Sequence, residues 1–262
     1  MRSRYALAAF VMLFFLFMLA PILIVVIVSF SSQAFVSFPI QGFSLRWYYR
    51  IWEYRPFLDS LIVSIELGVV ATTVACVLGV PAALAIGRSR GGFGDAASVF
   101  LLSPLSMPLI ILGFVLLFYC SRIGLGVSFT SLVVAHTVVS LPYVVRSVVS
   151  VYRSAPRASE EAAAILGAGP WRAFWFVVLP AIRPGVMNGA AFSMLISLDN
   201  LPVSYFFGSA TTNTLPVVML SYMQYQFDPS IAALSTVQLL LAVIVLGLLG
   251  RSGGLARAPV LP

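Results

Sequence analysis

Apolar residues gather along this chain into six long runs, at 6–30, 60–86, 96–119, 127–149, 185–207 and 231–250, with shorter polar intervals between them. A helix needs roughly 20 apolar residues to cross the hydrocarbon core of a bilayer, and each run meets that length. The pattern predicts an all-α membrane protein of six transmembrane helices. The first run follows Met1-Arg2-Ser3-Arg4 and exceeds the 7–15 apolar residues of a signal peptide. It reads as an uncleaved first span.

The polar intervals set the orientation. Loops rich in arginine stay cytoplasmic. With the N-terminus inside, the inner side holds Arg2, Arg4, Arg88, Arg90, Arg146, Arg153, Arg157, Arg172, Arg183, Arg251 and Arg257. The outer side holds only Arg46, Arg50, Arg55 and Arg122. Both termini are then cytoplasmic. The expected division is a first span at 1–30, an outer loop at 31–59, a five-helix core at 60–250 containing an inner loop at 151–183, and an inner tail at 251–262. In the outer loop, Arg46-Trp47-Tyr48-Tyr49-Arg50-Ile51-Trp52 mixes arginine with aromatics. That mixture suits the headgroup region and predicts an interfacial helix.

Composition agrees with a lipid environment. The 262 residues are 61% hydrophobic and 9% charged, against about 25% charged in an average soluble domain. Six spans leave no length for a second, soluble domain. All 15 basic residues behind the net charge of +7 are arginine. Without lysine the chain cannot carry the phosphate-binding G-x-x-x-x-G-K-[ST] loop, so any ATP is bound by another polypeptide. Cys76 and Cys120 lie in apolar runs without metal-binding spacing and read as small buried hydrophobes. No metal, catalytic group, bound cofactor or nucleic-acid partner is expected.

The inner loop before the fifth run is the most informative segment. It reads Ser159-Glu160-Glu161-Ala162-Ala163-Ala164-Ile165-Leu166-Gly167-Ala168-Gly169-Pro170-Trp171 and continues to Leu179-Pro180. Ser159 can cap a helix whose first turn carries Glu160 and Glu161, favoured at the positive end of the helix dipole. Ala162, Ala163 and Ala164 are strong helix formers with a shallow face. Gly167 and Gly169 supply a bend, Pro170 starts the next helix, and Pro180 ends or kinks it before the fifth span.

The same residues resemble the signature of ABC importer permeases, E-A-A-x(3)-G-x(9)-I-x-L-P. Glu161, Ala162, Ala163, Gly167, Leu179 and Pro180 match, and Val177 replaces isoleucine. The resemblance implies the type I importer permease fold. It makes residues 159–167 a coupling helix that docks on a separate ATPase through Ser159, Glu160, Glu161, Ala162, Ala163, Gly167 and Pro180. It also implies a sister permease forming a heterodimer, two ATPase copies using ATP and Mg, and a periplasmic solute-binding protein. The location it implies is the bacterial inner membrane.

Similarity to the second permease of spermidine/putrescine importers extends along the chain. It includes Ser29-Phe30-Ser31-Ser32, Leu141-Pro142-Tyr143, Ser197-Leu198-Asp199-Asn200 and Asp228-Pro229-Ser230. Permeases for iron, thiamine, aminoethylphosphonate and amino-acid-like solutes are related alternatives. For a polyamine, acids inside the spans matter, because a charge at the bilayer centre costs roughly 2.5–3.5 kcal/mol and faces an interior or a cavity. Asp199, with Asn200, is a candidate cation waypoint just before Pro202, and equally a group bonded to a neighbouring helix. Glu66 is a weaker pathway candidate, with a structural or snorkelling role favoured. His136 reads as an interhelical hydrogen-bonding residue, and Trp47, Tyr48 and Trp52 as interface anchors. A secondary transporter would carry paired broken spans and inverted repeats. An intramembrane enzyme would need convergent His, acid and nucleophile groups. Neither pattern is present in the sequence.

Overall fold

A computed structural model describes residues 2–89 and 91–253, with backbone alone for Arg2, Ser3 and 250–253. Arg90 of the inner turn, and Arg257 with the rest of the tail past residue 253, lie outside the described residues. The described residues are helices and turns, with one isolated antiparallel bridge between Ser31 and Phe43. In chain order the helices are α1 (Arg2–Val28), α2 (Arg46–Glu53), α3 (Arg55–Arg88), α4 (Gly92–Leu102), α5 (Leu109–Arg122) and α6 (Phe129–Ser154). They continue with α7 (Ala158–Ile165), α8 (Pro170–Ala173), α9 (Leu179–Leu198), α10 (Leu201–Ser204), α11 (Leu215–Met223) and α12 (Ser230–Gly253).

Among the described residues, four helices are long and apolar enough to cross a membrane: Arg4–Val28, Arg55–Arg88, Phe129–Ser154 and Ser230–Leu249. Two further crossings exist only if bent pairs each count as one span, which gives up to six. The third apolar run is not a single rod. Gly92–Ser106 and Leu109–Arg122 meet at 107°, because Pro104 tightens the end of the first arm into a 3₁₀ turn and Pro108 stands at the N-cap of α5. Proline offers no N–H to carry a helix across such a point. The fifth run is also broken, by 52°, between Leu198 and Leu201.

The chain divides into two compact units, one of Met1–Asp59 with Val218–Ala242, the other built on Ser60–Val217. In the smaller unit, α2 is tied to the end of α1. Trp47 Nε1 donates to the Ser31 carbonyl at 2.8 Å, and the Ser29 and Tyr48 hydroxyls share a 2.7 Å bond. Trp47 is therefore buried against the protein and Tyr48 half-buried; Trp52 and Tyr49 are the exposed aromatics of α2. The indole needs an acceptor once buried, and the chain end of α1 supplies one. Tyr222 donates to Asp228 at 2.7 Å. Burial, then the Asp228 carboxylate, pushes its phenol up, so it remains a donor.

In the larger unit, α3, α6 and α9 form the core. Ala75, Val80, Ala83 and Ile86 of α3 pack with Val144, Val145 and Val148 of α6 and with Ile182 of α9. A second cluster joins Leu67, Leu112, Leu132, Ala135, Val139, Val203 and Phe207. α6 and α9 approach closely at Gly185 and Gly189, a small-xxx-small pair. A Cβ at Gly185 would stand 2.9 Å from the Ser147 carbonyl oxygen, and one at Gly189 would stand 2.8 Å from the Val144 Cα. In lipid such close backbone approach replaces the hydrophobic effect as the source of helix association.

Candidate functional site

The inner loop folds as two short helices about a glycine. Pro156 opens the first: its carbonyl accepts from Ser159 N at 3.4 Å, and Arg157 already has helical dihedrals, φ −63° and ψ −28°. Ser159 therefore lies inside the first turn of α7 and does not cap it; the N-cap is Arg157, whose side chain makes no capping bond. The sequence expectation fails here because a proline ring fixes φ and starts the turn two residues earlier.

The far end of α7 closes in a Schellman motif. Gly167 has φ +80°, a conformation costly for residues with a Cβ. Its N–H donates to Ala164 O at 3.0 Å, and Ala168 N–H donates to Ala163 O at 2.9 Å. These two bonds satisfy carbonyls that a helix end otherwise leaves bare. Gly169 is the N-cap of α8 and Pro170 stands at its start.

From Pro170 the chain runs as one helix to Leu198, so Pro180 neither ends nor sharply kinks it. A π-turn over Phe174–Val178 precedes the proline, and Leu179 N–H reaches back five residues to Phe174 O. The widened turn takes up the steric and hydrogen-bonding defect of the ring.

Polar contacts hold α7 on the bundle. Arg88, the last residue of α3, makes an ion pair with Glu160 and donates from Nε to the Tyr152 hydroxyl at the end of α6. Gly87 lets Tyr152 lie flat, since a Cβ there would meet its ring at 2.5 Å. A cleft of about 370 Å³ opens beside these groups, bounded also by Arg153 and Glu161. Glu160 is thus turned inward onto the bundle, whereas Ser159, Glu161 and Ala162 are exposed and Ala163 is buried. Pro180 is exposed on the following helix.

The sequence reading missed the apolar tip of this loop. Ile165 and Leu166 are each 86% exposed, and Trp171 is 72% exposed just past the bend. Adjacent exposed apolar side chains make this tip a candidate interaction surface. The signal was present in the sequence as aliphatic residues inside a segment assigned to water, where lipid would not account for them.

The second group of named residues lies at the break in the fifth run. Asp199 is the C-cap of α9 and is exposed; Asn200 is buried and caps α10, its Oδ1 accepting from Val203 N at 3.2 Å. The Asn200 oxygen is therefore committed to the backbone, and its amide nitrogen is buried without a partner among the described residues. Of the two, Asp199 alone offers a free acceptor. Glu66 is exposed on α3, on the opposite side from Ser64, Gly68 and Thr72. Those three meet Leu215, Met194 and Ser193. His136 is fully buried and paired on both ring nitrogens, to Ser197 at 2.8 Å and Ser204 at 2.9 Å.

Comparison with known proteins agrees with this architecture. Residues 75–252 match the family described as binding-protein-dependent transport system inner membrane component. The chain is 32% identical to the putrescine transport system permease protein PotI of Escherichia coli (strain K12), over 92% of this chain and 86% of that one. It is 30% identical to the spermidine/putrescine permease PotC of Haemophilus influenzae, over 92% and 94%. It is also 33% identical to the molybdenum transport system permease protein ModB of Mycobacterium bovis, over 88% and 92%. Among solved structures, a bacterial ABC transporter that imports alginate superposes with a TM-score of 0.70 at 15% identity, covering 97% of this chain and 96% of that one. With the glycine-closed inner loop, the spanning helices and this match over most of its length, the chain belongs to the binding-protein-dependent transport system inner membrane components and is an ABC importer permease.

Proposed function

We propose that this chain crosses the inner membrane six times with both termini in the cytoplasm and forms half of a translocation pathway for a small organic cation. A polyamine such as spermidine or putrescine is the proposed cargo. A sister permease supplies the other half. Two copies of an ABC ATPase hydrolyse ATP with Mg at their own sites, and a periplasmic solute-binding protein delivers the cargo. This chain contributes binding and movement and no catalytic group.

The observation that carries the proposal is the shape of α7. It stands on the bundle through Glu160 and Arg88 and presents Ile165 and Leu166 outward. A partner ATPase would cover that apolar tip, and the continuous helix from Pro170 to Leu198 would carry its movement toward Asp199. The cation reading is supported by the putrescine and spermidine/putrescine relatives and by exposed acids, Glu66 and Asp199, within apolar segments. The second reading is an anionic cargo, favoured by the molybdenum relative at similar identity. Two exposed acids oppose it, since like charges raise the barrier to an anion.

In the complete importer, Glu161→Arg and Leu166→Asp should leave the chain in the membrane while lowering both ATPase co-purification and putrescine uptake. Normal complex yield together with normal uptake in both variants would sink the docking assignment. Competition by molybdate rather than putrescine would transfer the cargo assignment to the second reading.

A further inference from the structure

We infer that His136 is a positioning residue for the Asp199 turn, bracing the broken fifth span from both sides. The inference rests on the proposed reading that Asp199 faces the transport pathway. His136 belongs to α6, and its two partners lie on either side of the break: Ser197 in α9 at 2.8 Å, Ser204 in α10 at 2.9 Å. Asp199 and Asn200 stand between them, where the chain turns by 52°.

The bend helps bring the two hydroxyls within reach of one ring. Seven residues of straight helix rise about 10.5 Å, whereas two hydroxyls sharing one imidazole are at most roughly 8 Å apart. The 52° bend shortens that rise by about 1 Å, and the serine side chains turned toward the ring supply the rest. A neutral imidazole has one donor and one acceptor nitrogen, and a serine hydroxyl can act as either, so both bonds are satisfied in either tautomer. Placing histidine in an apolar core is costly unless it is paired. Leucine or phenylalanine would fill the same space without that requirement, but would not grip two segments at once. Other contacts fix the second arm alone: Asn200 caps α10, and Gly113 of α5 leaves room for Val203, whose Cα a Cβ would meet at 2.9 Å. Among the side-chain hydrogen bonds described for this break, those of the His136 ring reach both arms.

The test uses the whole importer in nanodiscs, with Cys76→Ala and Cys120→Ala removing the native thiols. Asp199→Cys is then reacted with a membrane-impermeant methanethiosulfonate reagent presented to both faces. The expected result is labelling whose rate changes roughly eight-fold or more with His136→Leu, which removes two interhelical hydrogen bonds at about three-fold each. His136→Gln, which can still donate and accept, should hold the rate near that of the parent. In chains retaining Asp199, His136→Leu should lower putrescine uptake by a similar factor at unchanged ATPase co-purification, again with rescue by glutamine. If His136→Leu fails to accumulate, Ser197→Ala and Ser204→Ala each remove one grip, with an expected change of roughly three-fold. Unchanged labelling and uptake in the variants that accumulate overturns the positioning role, even with Asp199→Cys reactive. An Asp199→Cys that stays unreactive in every background instead overturns the pathway reading, and the inference with it.

Discussion

Single residues here divide by what their backbone allows and where their polar atoms already point. Gly167 is set by conformation: at φ +80° a Cβ costs about 1–2 kcal/mol. Gly167→Ala should loosen the end of α7 while the chain still reaches the membrane. The expected readout is faster proteolytic cleavage between residues 165 and 170 together with reduced uptake, and cleavage unchanged from the parent would contradict it. Asp199 and Asn200, adjacent in sequence, separate in role. Asn200 spends its oxygen on the Val203 amide, so Asn200→Ala should act through stability, about 1 kcal/mol for a lost N-cap, and lower the yield of folded chain. Asp199→Asn keeps shape and removes charge. With the complex at normal yield, putrescine uptake should fall about tenfold, equivalent to roughly 1.4 kcal/mol. Uptake at the parent rate would leave Asp199 a structural group.

At the scale of elements, the α6–α9 pair is a contact sensitive to size. Gly189 places its Cα face against the Val144 backbone, and a larger residue there must part the helices, since overpacking costs about 1–3 kcal/mol. Gly189→Leu should therefore reduce accumulation in the membrane sharply, and Gly189→Ala less so; equal yields for the two would argue against tight packing at this crossing. Much at this scale was legible in the sequence. The apolar runs mark α1, α3, α6 and α12, and the spaced glutamate, alanines and glycine mark α7 and its bend. The breaks were less legible. A hydropathy window adds apolarity without regard to direction, so it runs through Met107-Pro108 where the chain turns by 107°. Pro180 misled in the opposite sense. Proline predicts an interruption, but the π-turn over Phe174–Val178 absorbs it, and π-turns have no sequence signature comparable to a cap. His136 was legible as a paired residue. Its two partners were not, since Ser197 and Ser204 become neighbours only through the break.

For the whole molecule the decisive quantity is how many times the chain crosses the bilayer, because each crossing reverses the side on which every later loop lies. Arm α4 has 11 residues and α5 has 14; at 1.5 Å per residue neither reaches the roughly 30 Å of a hydrocarbon core alone. Either the bent pair crosses once, or it enters and returns. A single crossing puts residue 123 outside and residue 165 inside, which keeps Arg146, Arg153, Arg157, Arg172 and Arg183 cytoplasmic, as the positive-inside rule requires. A re-entrant pair instead puts residue 123 on the cytoplasmic side, together with residue 88. The two cases separate by labelling with an impermeant maleimide in a chain lacking Cys76 and Cys120. Ile123 and Ile165 are both exposed, so in a chain expressed without its partner ATPase a cysteine at either should react once the reagent reaches it. Ile123→Cys should react in intact spheroplasts and Ile165→Cys only after the membrane is opened. Reaction of Ile123→Cys only after opening would reduce the count of crossings. A coupling loop still cytoplasmic would then require α6 to begin and end on the same side, which a helix of 26 unbroken residues cannot do. The length of α6 therefore fits the single crossing of the proposed topology: with α6 crossing between residues 129 and 154, an outer position for residue 123 leaves α7 on the side of the proposed ATPase.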